Sequence, residues 1–401
     1  MLGSFMGPDR ACSMRPASMR FLEHYLARTG VMLAMVPPSK SPFMTTLVPT
    51  AYMDDLLMHV MLAVSGAHLS FNQPENEETT QATLSHYYSV IRNIRKEIGH
   101  SDLQNDPTKT VRLLLVLIML CHYEVLSGNT TGNLFQHLRA CRQLILWQLP
   151  KSSPPSNDLL GFAIELYSYI LTSNTFSPYG AIPTRTLPND SFITSLNSTI
   201  GSCTTFGAML GGAHALFELV PQVSVFHGQR LAEEAQGFEQ LSPRLEAQHS
   251  FLAKSIDSWT FPDSARDPDT RERKKAAEIL RHGLRIYLST ATCGSVVSSP
   301  TVICAVQDEI DIVMRISHDM SEPQYMATLL WPLIITASCM VKESQRAETA
   351  DMLPKSHYQM THISLAVSLL EKLWQDKDRR AYGPYGLYFA MEKYGIQFST
   401  I

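Results

Sequence analysis

The sequence predicts an all-α protein, an irregular multi-helix bundle of about 12 to 14 helices. Three observations carry that expectation. Apolar residues recur with helical periodicity along most of the chain, and no convincing run of strand-like alternation interrupts them. Several helix starts are legible, since Asp106-Pro107, Ser242-Pro243 and Asp267-Pro268 each place an N-cap side chain before a proline suited to the first turn. The 401 residues are 45% hydrophobic and 17% charged, a balance that can bury a large core and excludes a disordered or fibrous chain.

Taken in order, the first helix is expected over 18–35, around "FLEHYLARTGVMLA", and the second over 51–70, around "DDLLMHVMLAVSGAHLS". Next come 78–98 and then 108–127, whose apolar run Leu113 to Cys121 is about half of the roughly 20 residues a bilayer helix needs. That run reads as a buried helix, and no membrane association is expected. Segments 131–148 and 158–174 complete the first half; 203–237, 243–256, 268–297, 300–319, 322–343, 355–376 and 380–394 make up the second. Proline and serine break the pattern in "MVPPSKSPF" (35–43) and "LPKSSPPSND" (149–158), and a longer irregular stretch begins at "NTFSPYGAIPTRTLPND" (174–190). The organisation expected is a flexible N-terminus over 1–17, an N-terminal helical half over 18–174, an irregular connector over 175–202 and a C-terminal helical half over 203–401, together one domain.

A formal net charge of -4 gives no general attraction for nucleic acid. Residues 1–20 lack the apolar core of a secretory signal, so an intracellular chain is expected. The seven cysteines, Cys12, Cys121, Cys141, Cys203, Cys293, Cys304 and Cys339, form no CxxC pair and are expected as reduced thiols. No phosphate-cradling, nucleophile-elbow or zinc-hydrolase motif appears, so no cofactor and no metal are implied.

Two adjacent carboxylates and two histidines in "DDLLMHVMLAVSGAHLS" raise the question of a metal site. Diphosphate lyases clamp magnesium with DDxxD on one helix and N-D-x-x-S-x-x-x-E on another, because oxygen ligands at those spacings share a face. Here Met58 stands where the third aspartate belongs and Gly161 where the hydroxyl belongs, between Asn157 and Glu165. The expectation is instead helix capping by Asp54 and Asp55, with Asp55 and His59 four apart on one face as a charge-assisted pair. His122 and His137 fall on consecutive helices, where Cys121–His137 or Cys141–His122 could meet, and core packing is the expected use of both. The one basic run, Arg271, Arg273, Lys274 and Lys275, is a candidate nuclear-import patch interleaved with acids.

The order of segments "FLEHYLARTGVMLA", "SPFMTTLVPTAYMDDLLMHVMLAVSGAHL", "CHYEVLSGNTTGNLFQHLRACRQLI", "WPLIITASCMVKESQRAE" and "LLEKLWQDKDRR" resembles the fungal-specific transcription factor domain. This is the regulatory region found downstream of the zinc binuclear-cluster module of fungal regulators. The resemblance implies a nuclear or nucleocytoplasmic protein of transcriptional control, associated with specialised-metabolite genes. It would sense a small molecule or act through a DNA-binding partner regulator. The family's reader needs six closely spaced cysteines, and Cys12 is the only cysteine before Cys121, so no direct DNA binding by a zinc cluster is expected. A truncated gene model of a zinc-cluster activator is one alternative. Another is a natural-product cyclase or isomerase on the same scaffold, with acid and base drawn from Asp55, His59, His122, His137 and Glu165. The 19 methionines and 15 tyrosines suit an apolar cavity between helices in either case.

Overall fold

The computed structural model describes residues 15–99, 105–128, 133–149, 158–262, 270–321, 325, 328–355 and 360–400. Among these residues every regular element is a helix, as the periodicity predicts, and none is long and apolar enough to cross a membrane. By contact the chain divides into two units: Met1–Tyr167 with Thr199–Met209 and Tyr358–Thr361, and Ser168–Ser198 with Leu210–His357 and His362–Ile401.

Unit 1 opens with α1 (Pro16–His24), which runs through a π-helical turn over Tyr25–Thr29, and continues with α2 (Val48–Met53), α3 (Asp55–Asn72), α4 (Glu77–Gly99), α5 (Pro107–Leu126) and α6 (Asn133–Gln148). The helices α3 and α5 are apolar all round, so each must be surrounded. From Leu56 to Leu69 only His59 on α3 escapes full burial, and on α5 the run Leu113–Leu126 is buried throughout. They pack on one another, with α1 and α4 against α3 and with α6 against α5. Asp54 caps α3 by accepting from Leu56 N (2.8 Å) and Leu57 N (3.0 Å), and Asp106 caps α5 by accepting from Lys109 N at 3.0 Å. The capping expected of both Asp54 and Asp55 thus falls on Asp54, while Asp55 occupies the first turn.

The last helix to enter unit 1, α7 (Asp158–Ser173), passes the unit boundary after Tyr167. In unit 1 it is held to the segment Thr199–Met209: Asp158 accepts from Thr204 N (2.8 Å) and Thr204 Oγ1 (2.6 Å). The approach is close at Gly161, where a Cβ would lie 2.4 Å from Cys203 Sγ.

Unit 2 contains α8 (Leu196–Ile200, in part), α9 (His214–Phe217), α10 (Leu219–Ala235), α11 (Pro243–Asp257), α12 (Thr270–Ala291), α13 (Pro300–His318), α14 (Leu330–Ser338), α15 (Glu343–Met352), α16 (Thr361–Gln375) and α17 (Gly383–Tyr394). At its centre α12 packs on α10, α13, α14 and α17. All of α14 from Trp331 to Ser338 is buried, and Trp331 Nε1 donates to Thr175 O at 3.0 Å. Asn174 and Thr400 exchange hydrogen bonds of 3.0 and 3.2 Å, which fastens the C-terminal segment.

Several boundaries differ from the periodicity. The single helix expected over 51–70 starts earlier and breaks at Asp54, whose extended backbone (φ of -139°) separates α2 from α3. The single helix expected over 203–237 is replaced by turns up to Ala213 and then by α9 and α10, because Gly211 and Gly212 take φ of 55° and 93°. The helix expected over 322–343 is confined to Leu330–Ser338, and α15 follows where no separate helix was expected. The cap expected at Asp267, most of the linker 149–158, Asn157, Cys12 and residues 1–14 lie outside the described residues.

Candidate histidine-lined groove of unit 1

The chemistry of unit 1 begins at the start of α3. Burial opposes ionisation of Asp54, yet Arg112 and the Leu56 and Leu57 N–H groups hold its carboxyl below the ordinary range. Arg112 also binds Glu97 at 2.6 Å and bridges α3, α4 and α5 at this end. Asp54 therefore serves architecture, and among the described residues no group of three or more His, Cys, Asp or Glu is placed to hold a metal ion.

One turn further along α3, His59 meets a residue that periodicity did not single out. Its Nδ1 is 2.8 Å from Nδ1 of His86 on α4, and His86 Nε2 is 3.1 Å from Ser18 Oγ on α1. Both contacts are satisfied when the Ser18 hydroxyl donates to Nε2 and a neutral His86 donates its Nδ1–H to His59 Nδ1, a tautomer assignment that links the three groups in one hydrogen-bond chain. Burial holds His86 down to about 4, helped by His59 and Arg15. Burial also lowers His59, against the pull of Asp55. The pair is thus neutral near neutral pH, and a charge on His59 opposes charging of His86.

These residues line a cavity of about 480 Å³ bounded by α1, α3 and α4. Its size falls within the roughly 300–1,000 Å³ typical of small-molecule sites. Met58 and Leu62 supply its apolar wall, Ser85 and Ser89 add hydroxyls, and Arg15 and Arg92 add positive charge at exposed positions. By contrast, the cavity beside Asn174, Arg185 and Ser224 in unit 2 encloses about 50 Å³, room for a few waters at most.

The other candidate residues are engaged with protein. His122 is buried, approaches Ile118 O at 3.1 Å through Nδ1, and meets the Phe43 ring edge-on; burial holds it down to about 4. His137 Nε2 lies 3.2 Å from Oε1 of the buried Glu124, which also accepts from Tyr87 Oη at 3.0 Å. Among the described residues neither histidine is hydrogen-bonded to a cysteine, and burial pushes the Cys121 thiol up, with Cys141 beside it adding to the rise. Glu165 is fully buried and accepts from Gly207 N (3.0 Å) and Met209 N (3.0 Å), so it anchors the segment Thr199–Met209. Of the five residues considered for acid or base work, only Asp55 and His59 face the groove. In unit 2, Lys275 binds Glu272 (2.8 Å) and Asp319 (2.9 Å), while Lys274 is exposed and the Arg271 side chain is 79% exposed.

Ser18 and His86 were not singled out from sequence. A signal existed for His86: Ala82, Ser85, His86 and Ser89 recur at helical spacing on α4, a small and polar stripe where a packed face would be apolar. That stripe is the side of α4 that lines the groove.

No curated protein and no solved structure matches the chain. A model of the fungal-specific transcription factor domain matches residues 20–393. The match spans both units, from within α1 to the last turn of α17; it includes the α3 and α4 walls of the groove with His59 and His86, while Arg15, Ala17 and Ser18 precede it. With nearly its whole length matched, the chain belongs to the fungal-specific transcription factor domain family and has a regulatory role in transcription.

Proposed function

We propose that this protein is a small-molecule-responsive regulator of fungal gene expression, acting in the nucleus on specialised-metabolite genes together with a DNA-binding partner regulator. The observation that carries the sensing step is the groove of about 480 Å³, which combines an apolar wall with convergent polar groups. Its floor is α3, buried from Leu56 to Leu69 except at His59, so a ligand in the groove lies directly against the core of unit 1. Arg271, Arg273, Lys274 and Lys275 form the import patch in this reading, with Arg271 and Lys274 the accessible members.

Deletion of the gene followed by joint transcript and metabolite profiling tests the role. A regulator predicts coordinated loss of a set of pathway transcripts. Ser85→Trp, which fills the groove from an exposed position on α4, should reproduce the loss of response while the protein remains folded. Unchanged transcripts with one accumulated intermediate would overturn the proposal.

The enzyme alternative is favoured by one observation, the chain from Ser18 through His86 to His59 at the groove wall. A cyclase or isomerase would draw its acid or base there from Asp55 and His59, the two of its five candidates at the groove. That reading requires one pathway intermediate to accumulate in His59→Gln with transcripts unchanged.

A further inference from the structure

We propose that the groove of unit 1 takes an acidic small molecule, with its carboxylate against His86, His59 and Arg92 and its apolar body over Met58 and Leu62. This rests on the reading of that groove as the sensory site, and it adds the chemical class of the ligand and the means by which binding is registered.

The charge of the groove points to an anion. Its described lining contains two guanidinium groups, Arg15 and Arg92, and two imidazoles, against the one carboxylate of Asp55. The groups facing His86 can be followed element by element. From the start of α1 come Arg15 and Ser18, from α3 come Asp55 and His59, and from α4 itself comes Arg92; the Phe21 ring covers one side at 6.0 Å. Around His86 itself, Arg15 and His59 both disfavour a second positive charge. A cationic ligand would add to that repulsion. A neutral ligand would leave it unchanged. A carboxylate reverses it, because an opposite charge within about 4–6 Å raises an imidazole by roughly 1–3 pK units. Bound acid therefore recruits a proton to the His86–His59 pair.

Proton recruitment rearranges the site. A neutral His86 accepts from Ser18 and donates to His59, whereas a doubly protonated His86 can only donate. Ser18 must then turn its lone pair toward Nε2, while His59 goes on accepting from Nδ1. Three helices meet at this hydrogen-bond chain, so the charge state of one imidazole is felt by α1, α3 and α4 together. The groove registers an acid by a switch in hydrogen-bond direction as well as by occupancy.

The experiment uses the full chain and three probes that share one apolar body: naphthoate, naphthalenemethanol and naphthylmethylammonium. Imidazole nitrogen shifts of His59 and His86 and the methyl signal of Met58 report binding by NMR. Calorimetry in buffers of different ionisation enthalpy reports proton uptake. The expected result is naphthoate binding with net proton uptake, roughly tenfold tighter near pH 5.5 than near pH 7.5. Arg92→Ala weakens it roughly tenfold, and His86→Gln abolishes the proton uptake while the far-ultraviolet spectrum stays helical. Preference for the alcohol or the ammonium at the same signals overturns the acid and leaves the sensory reading standing. Absence of any groove response to all three probes overturns both.

Discussion

His86 and His122 are both imidazoles on helices of unit 1, and burial lowers each to about 4. Their surroundings differ. His122 is enclosed by the core, with its proton directed to a carbonyl one turn back on its own helix and Phe43 against its ring. His86 meets Ser18 and His59 and faces a groove of about 480 Å³. The same perturbation is a fixed cost of packing in the first case and an accessible charge switch in the second. A shifted imidazole alone does not mark a functional site, and what separates the two is access for a charged molecule.

The largest effect that sharpens this contrast concerns Glu165, a third buried ionisable group and one enclosed like His122. Its carboxyl oxygens satisfy the N–H groups of Gly207 and Met209, and Leu at this position leaves both donors without that acceptor. Glu165→Leu should destabilise the protein by about 3 kcal/mol or more, measured by urea unfolding. It should leave any retained groove binding unchanged per folded molecule. A loss below about 1 kcal/mol would mean that the Thr199–Met209 segment is not anchored as described.

Acid sensitivity comes next. Each of His86 and His122 lies near 4 in the folded protein against an ordinary 6.5. Between those values the unfolded chain holds a proton that the folded chain refuses. Stability from each group is thus complete above about pH 6.5 and falls as the pH drops, by about 3 kcal/mol in total, levelling off below about pH 4. His122→Leu should remove its share, so the fall in melting temperature from about pH 7 to about pH 5 becomes smaller than in the parent protein. At pH 7 the variant should lie within about 1 kcal/mol of the parent, since the shape of the site is nearly kept. His86→Gln should remove a similar share. Saturating naphthoate should recover the His86 share in the parent and nothing in His86→Gln, and an equal recovery in that variant would break the contrast.

The sequence readings fared according to the distance over which each interaction acts. Helical class, the buried helix α5, and the caps at Asp106 and Ser242 rest on patterns within one turn or one helix, and all three are present. Asp54 was legible as a capping residue, but its second partner Arg112 is 58 residues away. The anchoring role of Glu165 depends on a segment 42 residues downstream, and the sequence offered Glu165 only as an acid or base candidate. His59 and His86 are 27 residues apart on different helices. Periodicity states which face of α4 carries His86 but not which residue of α3 stands opposite, because helix register is set by packing of both surfaces. The glycine-rich turns before α9 were read as helix for a related reason. Ala208, Met209 and Leu210 keep an apolar pattern there, while Gly211 and Gly212 set the backbone.

The smallest expected effect tests the exposed edge of the groove. Asp55 is in the first turn of α3, where negative charge complements the helix dipole, and it supports the charged form of His59 four residues on. It is solvent-exposed, so both contributions are screened. Asp55→Asn should therefore cost about 0.5 kcal/mol of stability, read as a small shift in the urea midpoint. The more informative readout is His59 itself. Removing the carboxylate lowers the pH at which its imidazole titrates and takes the single negative charge from the described lining of the groove. An anionic probe should then bind slightly more tightly even though the protein is slightly less stable. Weaker binding of naphthoate in Asp55→Asn would show that Asp55 orients His59 for the ligand and would place that carboxylate inside the binding machinery.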